Sequence, residues 1–121
     1  MSRFKQQGFR NTFKNARKGL RLALRSEVNI RVHFCVGILV LLAGAYFEFS
    51  AEKLCILLLT IGMVITAEML NSAIEFALDA VFHNRFSRLV GMAKDISAGA
   101  VMFITAIAIT IGLLLFVPEI I

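Results

Sequence analysis

Between the Lys94-Asp95 pair and Glu119 the chain runs from Ile96 to Val117 without a charged side chain. A bilayer's hydrocarbon core is crossed by about 20 mostly apolar residues in a helix. Backbone in lipid must satisfy its own hydrogen bonds, which leaves a helix as the structure open to such a run. Two more apolar stretches precede it. Val32–Phe47 is bounded by Arg31 and Glu48, and Leu54–Ala67 continues in pattern past Glu68 and Glu75 to Leu78. Three transmembrane helices are expected, at residues 32–49, 54–78 and 96–117, in an all-α membrane protein. Composition agrees: 59% of residues are hydrophobic and 17% charged, against roughly 25% charged in soluble domains. The 121 residues form one unit, 1–121, with no Gly/Ser-rich linker and no room for a separate nucleotide-binding domain. Cys35 and Cys55 sit in apolar runs near opposite membrane faces, where they are expected to be small buried hydrophobes, not a disulfide.

The first 31 residues are basic, with Glu27 their only acid. Phe9, Phe13, Ala16, Leu20 and Leu24 recur in steps of three and four, while Lys14, Lys18, Arg21 and Arg25 populate the opposite side. That period describes an amphipathic helix over residues 1–30, suited to lying along an anionic membrane surface. The net charge of +5 is therefore assigned to a membrane surface, with no nucleic-acid partner. Ala43-Gly44-Ala45 imitates a leader-cleavage site, but the basic segment ahead of it is too long and too amphipathic for a signal peptide. Lysine and arginine placement sets orientation. The N-terminal segment and the loop with Arg85, Arg88 and Lys94 are expected in the cytoplasm; the short loop Glu48–Lys53 and the C-terminus are expected outside.

This topology gathers three sequence-distant clusters at one membrane face: Glu27, Asn29 and His33; Glu68, Asn71, Ser72, Glu75 and Asp79; and Lys94-Asp95. The middle set falls at i, i+3, i+4, i+7 and i+11, one side of a helix. Carboxylates in a spanning segment are costly and mark function when they face a protein interior or a water-filled cavity. Glu68 lies about 10 Å deeper than Glu75 at 1.5 Å per residue. Such a set suits phosphoryl transfer from Mg-ATP to an amphiphile: magnesium takes one or two carboxylates plus phosphate oxygens, a lysine holds phosphate charge, and a further carboxylate accepts the hydroxyl proton. A small transporter or channel subunit would also use membrane carboxylates, but it would spread polar groups through the depth of several helices. The third helix offers only Ser97, Thr105, Thr110, Gly99 and Gly112, residues suited to close helix contacts.

The run Ala67-Glu68-Met69-Leu70-Asn71-Ser72-Ala73-Ile74-Glu75, followed by Ala93-Lys94-Asp95-Ile96-Ser97-Ala98-Gly99-Ala100-Val101, closely resembles the signature of the prokaryotic diacylglycerol kinase family, which includes the undecaprenol kinases. The resemblance covers nearly the whole chain. It implies a homotrimeric enzyme of the bacterial inner membrane that uses ATP and Mg²⁺ without the motifs of soluble kinases, and no Gly-x-x-x-x-Gly-Lys loop or protein-kinase catalytic loop occurs here. Carried over position by position, it implies that Glu68 is the base taking the lipid hydroxyl's proton. Glu27 and Glu75 match metal-binding carboxylates that also meet the nucleotide. Lys94 and Asp95 match nucleotide-binding positions, and Asn71 matches an active-site polar residue, with Ser72, Asn29 and His33 beside it. Asn15-Ala16-Arg17-Lys18-Gly19 departs from the aromatic and hydroxyl residues of proteobacterial diacylglycerol kinases, so their adenine pocket does not transfer. The pattern Glu27-x-Asn29-x-x-x-His33 is closer to the undecaprenol kinase branch. Undecaprenol is the expected substrate, with diacylglycerol next.

Overall fold

A computed structural model describes residues 8–83, 85 and 87–121. The expected start of the surface helix, with Arg3 and Lys5, lies outside the described residues. Four helices follow in order: α1 (Phe9–Ser26), α2 (Val28–Tyr46), α3 (Ala51–Phe82) and α4 (Arg88–Ile120). The last three are long and apolar enough to cross a membrane. α3 and α4 overrun the expected 54–78 and 96–117 at both ends, because a helix continues until its ends are capped, whether or not its last turns meet lipid. α2 starts four residues before the expected 32 but stops at Tyr46, short of the expected 49, because the turn at Glu48 ends it. α3 and α4 have 32 and 33 residues, about 48–50 Å at 1.5 Å per residue, against a hydrocarbon core of about 30 Å. The excess puts the polar C-terminal turns of α3 and the N-terminal turns of α4 outside the apolar layer.

A seven-residue repeat organises the packing. Ile30, Gly37 and Gly44 are the buried residues of α2, Leu57, Val64, Ile65 and Ser72 those of α3, and Val90 and Ser97 those of α4. Such spacing keeps one seam of each helix against its neighbour. α3 is the hub, with its main contacts to both α2 and α4. Close approach falls on α2: a Cβ built on Gly37 would lie 2.6 Å from Ile61 Cγ2, and one on Gly44 3.1 Å from Leu57. The expectation that Gly99 and Gly112 serve this purpose is not met within the chain, since a Cβ on either meets nothing within 4 Å. Cys35 and Cys55 are free but exposed, on helix faces turned away from the protein and not buried as expected.

The α2–α3 connection is a tight cap. Glu48 adopts φ 58, the left-handed conformation that ends helices, and the amides of Phe49 and Glu48 bond back to Gly44 and Ala45 carbonyls at 3.0 Å each, a Schellman pattern. At the other corner, α1 ends and α2 begins on either side of Glu27, which is extended at φ −123, ψ 116. The Arg31 guanidinium donates to the carbonyls of Leu24 at 2.8 Å and Arg25 at 2.9 Å, placing a cation on the orphan carbonyls of α1's last turn. α1 buries none of its residues.

Candidate active site

The antiparallel course of α2, α3 and α4 brings the start of α2, the end of α3 and the start of α4 together, and three contacts tie them. His33 Nε2 on α2 lies 3.1 Å from Glu68 Oε1 on α3. Ser97 Oγ on α4 donates to Asn71 Oδ1 on α3. Lys94 Nζ on α4 meets Asp79 Oδ1 on α3 at 2.6 Å. Within α3, Asn71 Nδ2 donates to Glu75 Oε1 at 3.4 Å. The Glu75 carboxylate, which only accepts, sets which way the Asn71 amide points: its NH₂ faces Glu75, and its carbonyl oxygen receives the Ser97 hydroxyl. The ladder descends α3 in order, from Glu68 through Asn71 and Glu75 to Asp79.

Depth and exposure follow that order. Glu68 keeps 12% of its side-chain surface, whereas Asp79 keeps 39% and Lys94 36%. Ser72 is buried beside the ladder, Glu27 and Glu75 are half-buried, and Asn29 and Asp95 are exposed. Among the described residues the side chains of Glu27, Asn29 and Asp95 enter none of these contacts. Two participants carry no role in the sequence reading. Ser97 stands there only as a helix-contact hydroxyl and Asp79 only as a member of the α3 face. The signal for both was spacing, because Ser97 is one turn after Lys94 and Asp79 one turn after Glu75.

No group of three or more His, Cys, Asp and Glu side chains converges to hold a metal among the described residues. That donor set does not make an all-protein cage. It does fit magnesium, which binds through one or two carboxylates and completes its shell with phosphate oxygens and water. Glu75, with one oxygen engaged by Asn71, has its other oxygen to offer.

Beside the ladder, an apolar cleft of about 320 Å³ runs between α2, α3 and α4, from His33 past Gly37, Thr60 and Thr105 to Phe116. One end therefore reaches His33, the neighbour of Glu68, and the other reaches Phe116 of the aromatic cluster near the α2–α3 turn. A long hydrocarbon with a polar terminus matches both the shape and the polarity of this arrangement.

Residues 14–116 match the family model for prokaryotic diacylglycerol kinase. The undecaprenol kinase of Bacillus subtilis (strain 168) is 35% identical over 111 residues, 92% of this chain and 89% of that protein. A diacylglycerol kinase of Synechocystis sp. is 31% identical over 107 residues, 88% of this chain and 61% of the relative. The diacylglycerol kinase of Escherichia coli (strain K12) is 29% identical over 92 residues, 76% of this chain and 75% of that enzyme. Ladder, cleft and kinship agree: the chain belongs to the prokaryotic diacylglycerol kinase family and is a lipid kinase.

Proposed function

We propose that this kinase transfers the γ-phosphoryl group of ATP to the terminal hydroxyl of undecaprenol at the cytoplasmic membrane face. The observation that carries the reading is the position of Glu68, nearly buried at the deep end of a polar ladder and 3.1 Å from His33, which lines the end of an apolar cleft. A lipid whose chain occupies the cleft presents its hydroxyl there. Glu68 takes the hydroxyl proton as the oxygen attacks phosphorus. Lys94 turns its ammonium to the phosphates, and Asp95, Glu27 and Glu75 face the nucleotide from the water layer, with Asn71 and Ser72 supporting the α3 side and Asn29 the corner. Glu27 and Glu75 would hold Mg²⁺, which would supply neutralisation of phosphate charge. Undecaprenol is favoured over diacylglycerol by the Glu27-x-Asn29-x-x-x-His33 pattern and by the nearly full-length match to an undecaprenol kinase.

The same reading covers placement. α1 exposes Phe9, Phe13 and Leu20 and, with nothing of its own buried, lies as an amphipathic helix on the cytoplasmic leaflet. The N-terminus is cytoplasmic and the C-terminus outside, as the lysine and arginine distribution directs. Half-exposed charged groups on three helices need another wall, supplied by neighbouring copies in a closed homotrimer; sedimentation equilibrium in matched detergent should return three chains per particle, and a monomer mass would remove this part. The functional test is purified protein with labelled ATP, offered undecaprenol and diacylglycerol in parallel vesicles. Label should enter undecaprenyl phosphate faster. Faster labelling of phosphatidic acid would reassign the substrate, and no lipid labelling would overturn the reading.

A further inference from the structure

We propose that His33 is a positioning residue for Glu68: its imidazole holds one carboxylate oxygen so that the other faces the lipid hydroxyl at the end of the cleft. The proposal rests on Glu68 being the base. Glu68 keeps only 12% of its side-chain surface, and His33 Nε2 stands 3.1 Å from its Oε1. A carboxylate at that depth with no donor would be strongly disfavoured. His33 also lines the cleft itself, so the pair stands where a chain in the cleft would end.

Local packing explains why the imidazole is held there. His33 is one turn after Ile30, which is fully buried, and one turn before Gly37, so it shares their seam. Gly37 lets the α2 backbone close onto Ile61 of α3, drawing the next turn of α2 against Glu68. In this arrangement Nε2 donates its hydrogen, since a carboxylate only accepts. Glu68 Oε1 is then engaged and Oε2 is the open oxygen. During transfer the lipid O–H bond breaks and its proton goes to Oε2. A lipid O–P bond forms as the bond from the γ-phosphorus to ADP breaks, and the proton later passes from Glu68 to water. Oε1 accepts from Nε2–H before and after, so the carboxyl group does not turn between protonation states.

The test separates positioning from mere packing. His33→Leu removes the donor. His33→Gln keeps an N–H at similar reach, and His33→Asn keeps one that is a bond too short. In vesicles containing ATP and the lipid phosphorylated faster, His33→Leu should lower kcat roughly 10–100-fold, the scale of a misplaced catalytic group, with the KM for ATP within twofold of the parent. His33→Gln should recover most of the loss and His33→Asn should not, which also decides the matter should His33→Leu fail to assemble. In a Glu68→Gln background, His33→Leu should cost nothing further, since the two act as a unit. A kcat within twofold of the parent in His33→Leu, equal losses in all three variants, or a full further loss in the Glu68→Gln background would overturn the proposal. Should Glu68→Gln itself remain active, the base assignment falls; should it be inactive while His33→Leu is not, only the role of His33 falls.

Discussion

At one end of the long helices His33, Glu68, Asn71, Glu75, Asp79, Lys94 and Ser97 link α2, α3 and α4 through charged and amide contacts. At the other end the same helices meet through Phe47, Phe49 and Phe116, with ring centroids 4.9 Å apart for Phe49–Phe116 and 6.1 Å for Phe47–Phe116. Both ends close a helical hairpin at a membrane surface, so the hydrophobic problem is the same. The aromatic end solves it with apolar rings and a backbone cap whose hydrogen bonds are met inside the turn. Among the described residues the polar end pairs its groups yet leaves capacity open: a second carboxylate oxygen on Glu68, another on Glu75, and a lysine ammonium with one partner. Stability should reside at the first end and turnover at the second, and substitutions at each can break that division.

Glu68→Gln should have the largest effect. Glutamine keeps the size and can still accept from His33, so helix contacts survive while the proton acceptor is lost. A general base is typically worth ~10²–10⁴-fold, and kcat should fall by that factor with thermal unfolding and ATP KM unchanged. A midpoint drop comparable to the activity loss would show that Glu68 is a structural contact.

The mirror experiment is Phe49→Ala. Phe49 is 8% exposed, packs beside Gly44 and Phe116, and follows the left-handed residue of the turn. Truncating a buried phenylalanine costs about 3 kcal/mol. Unfolding in mixed micelles should show a loss of that order, while kcat and ATP KM of the remaining folded protein stay at parental values. Loss of turnover without loss of stability would mean that the aromatic end takes part in catalysis.

Lys94→Ala comes next. Its ammonium is paired with Asp79 at 2.6 Å and must exchange that carboxylate for phosphate when ATP binds. A hydrogen bond to a charged group contributes ~1.5–3 kcal/mol, so the ATP KM should rise about 10–100-fold with little change in the KM for lipid. A selective rise in lipid KM would make Lys94 a headgroup contact.

How far these roles could be read without coordinates depended on the kind of information each needed. Local spacing sufficed for the three long helices and for the ladder on α3, because both are periodicities along one chain. The pairings needed register between helices. Lys94 was legible as a cation near carboxylates, but its choice of Asp79 depends on how α4 slides along α3. Ser97 read as packing because a hydroxyl in an apolar run has many uses. The glycines misled for a related reason: Gly37 and Gly99 look alike in sequence, and only the α2–α3 contact at Ile61 distinguishes them. Glu27 fell inside the surface helix expected over residues 1–30, whereas α1 ends at Ser26, where Arg31 caps its last carbonyls, and leaves Glu27 as an extended corner residue.

The smallest effect should come from Glu119→Gln, which tests whether any charge matters at the aromatic end. Glu119 Oε1 and Lys53 Nζ are 3.5 Å apart, with side chains 33% and 43% exposed. An exposed pair of this kind is worth ~0.2–1 kcal/mol and is screened by salt. Lys53 keeps a second contact, its ammonium 5.1 Å from the centre of the Phe49 ring, which does not depend on Glu119. Glu119 also follows Pro118 in the last turn of α4, where a missing amide already loosens the helix. Removing the carboxylate charge therefore leaves Lys53 attracted to the ring and takes little from a helix end weakly held beforehand. Unfolding midpoints of parent and variant should differ slightly at low ionic strength and coincide in high salt, with kcat identical in both. A tenfold loss of kcat in Glu119→Gln would show that the aromatic end transmits its geometry along α4 to Lys94, and stability and turnover could then no longer be assigned to separate ends.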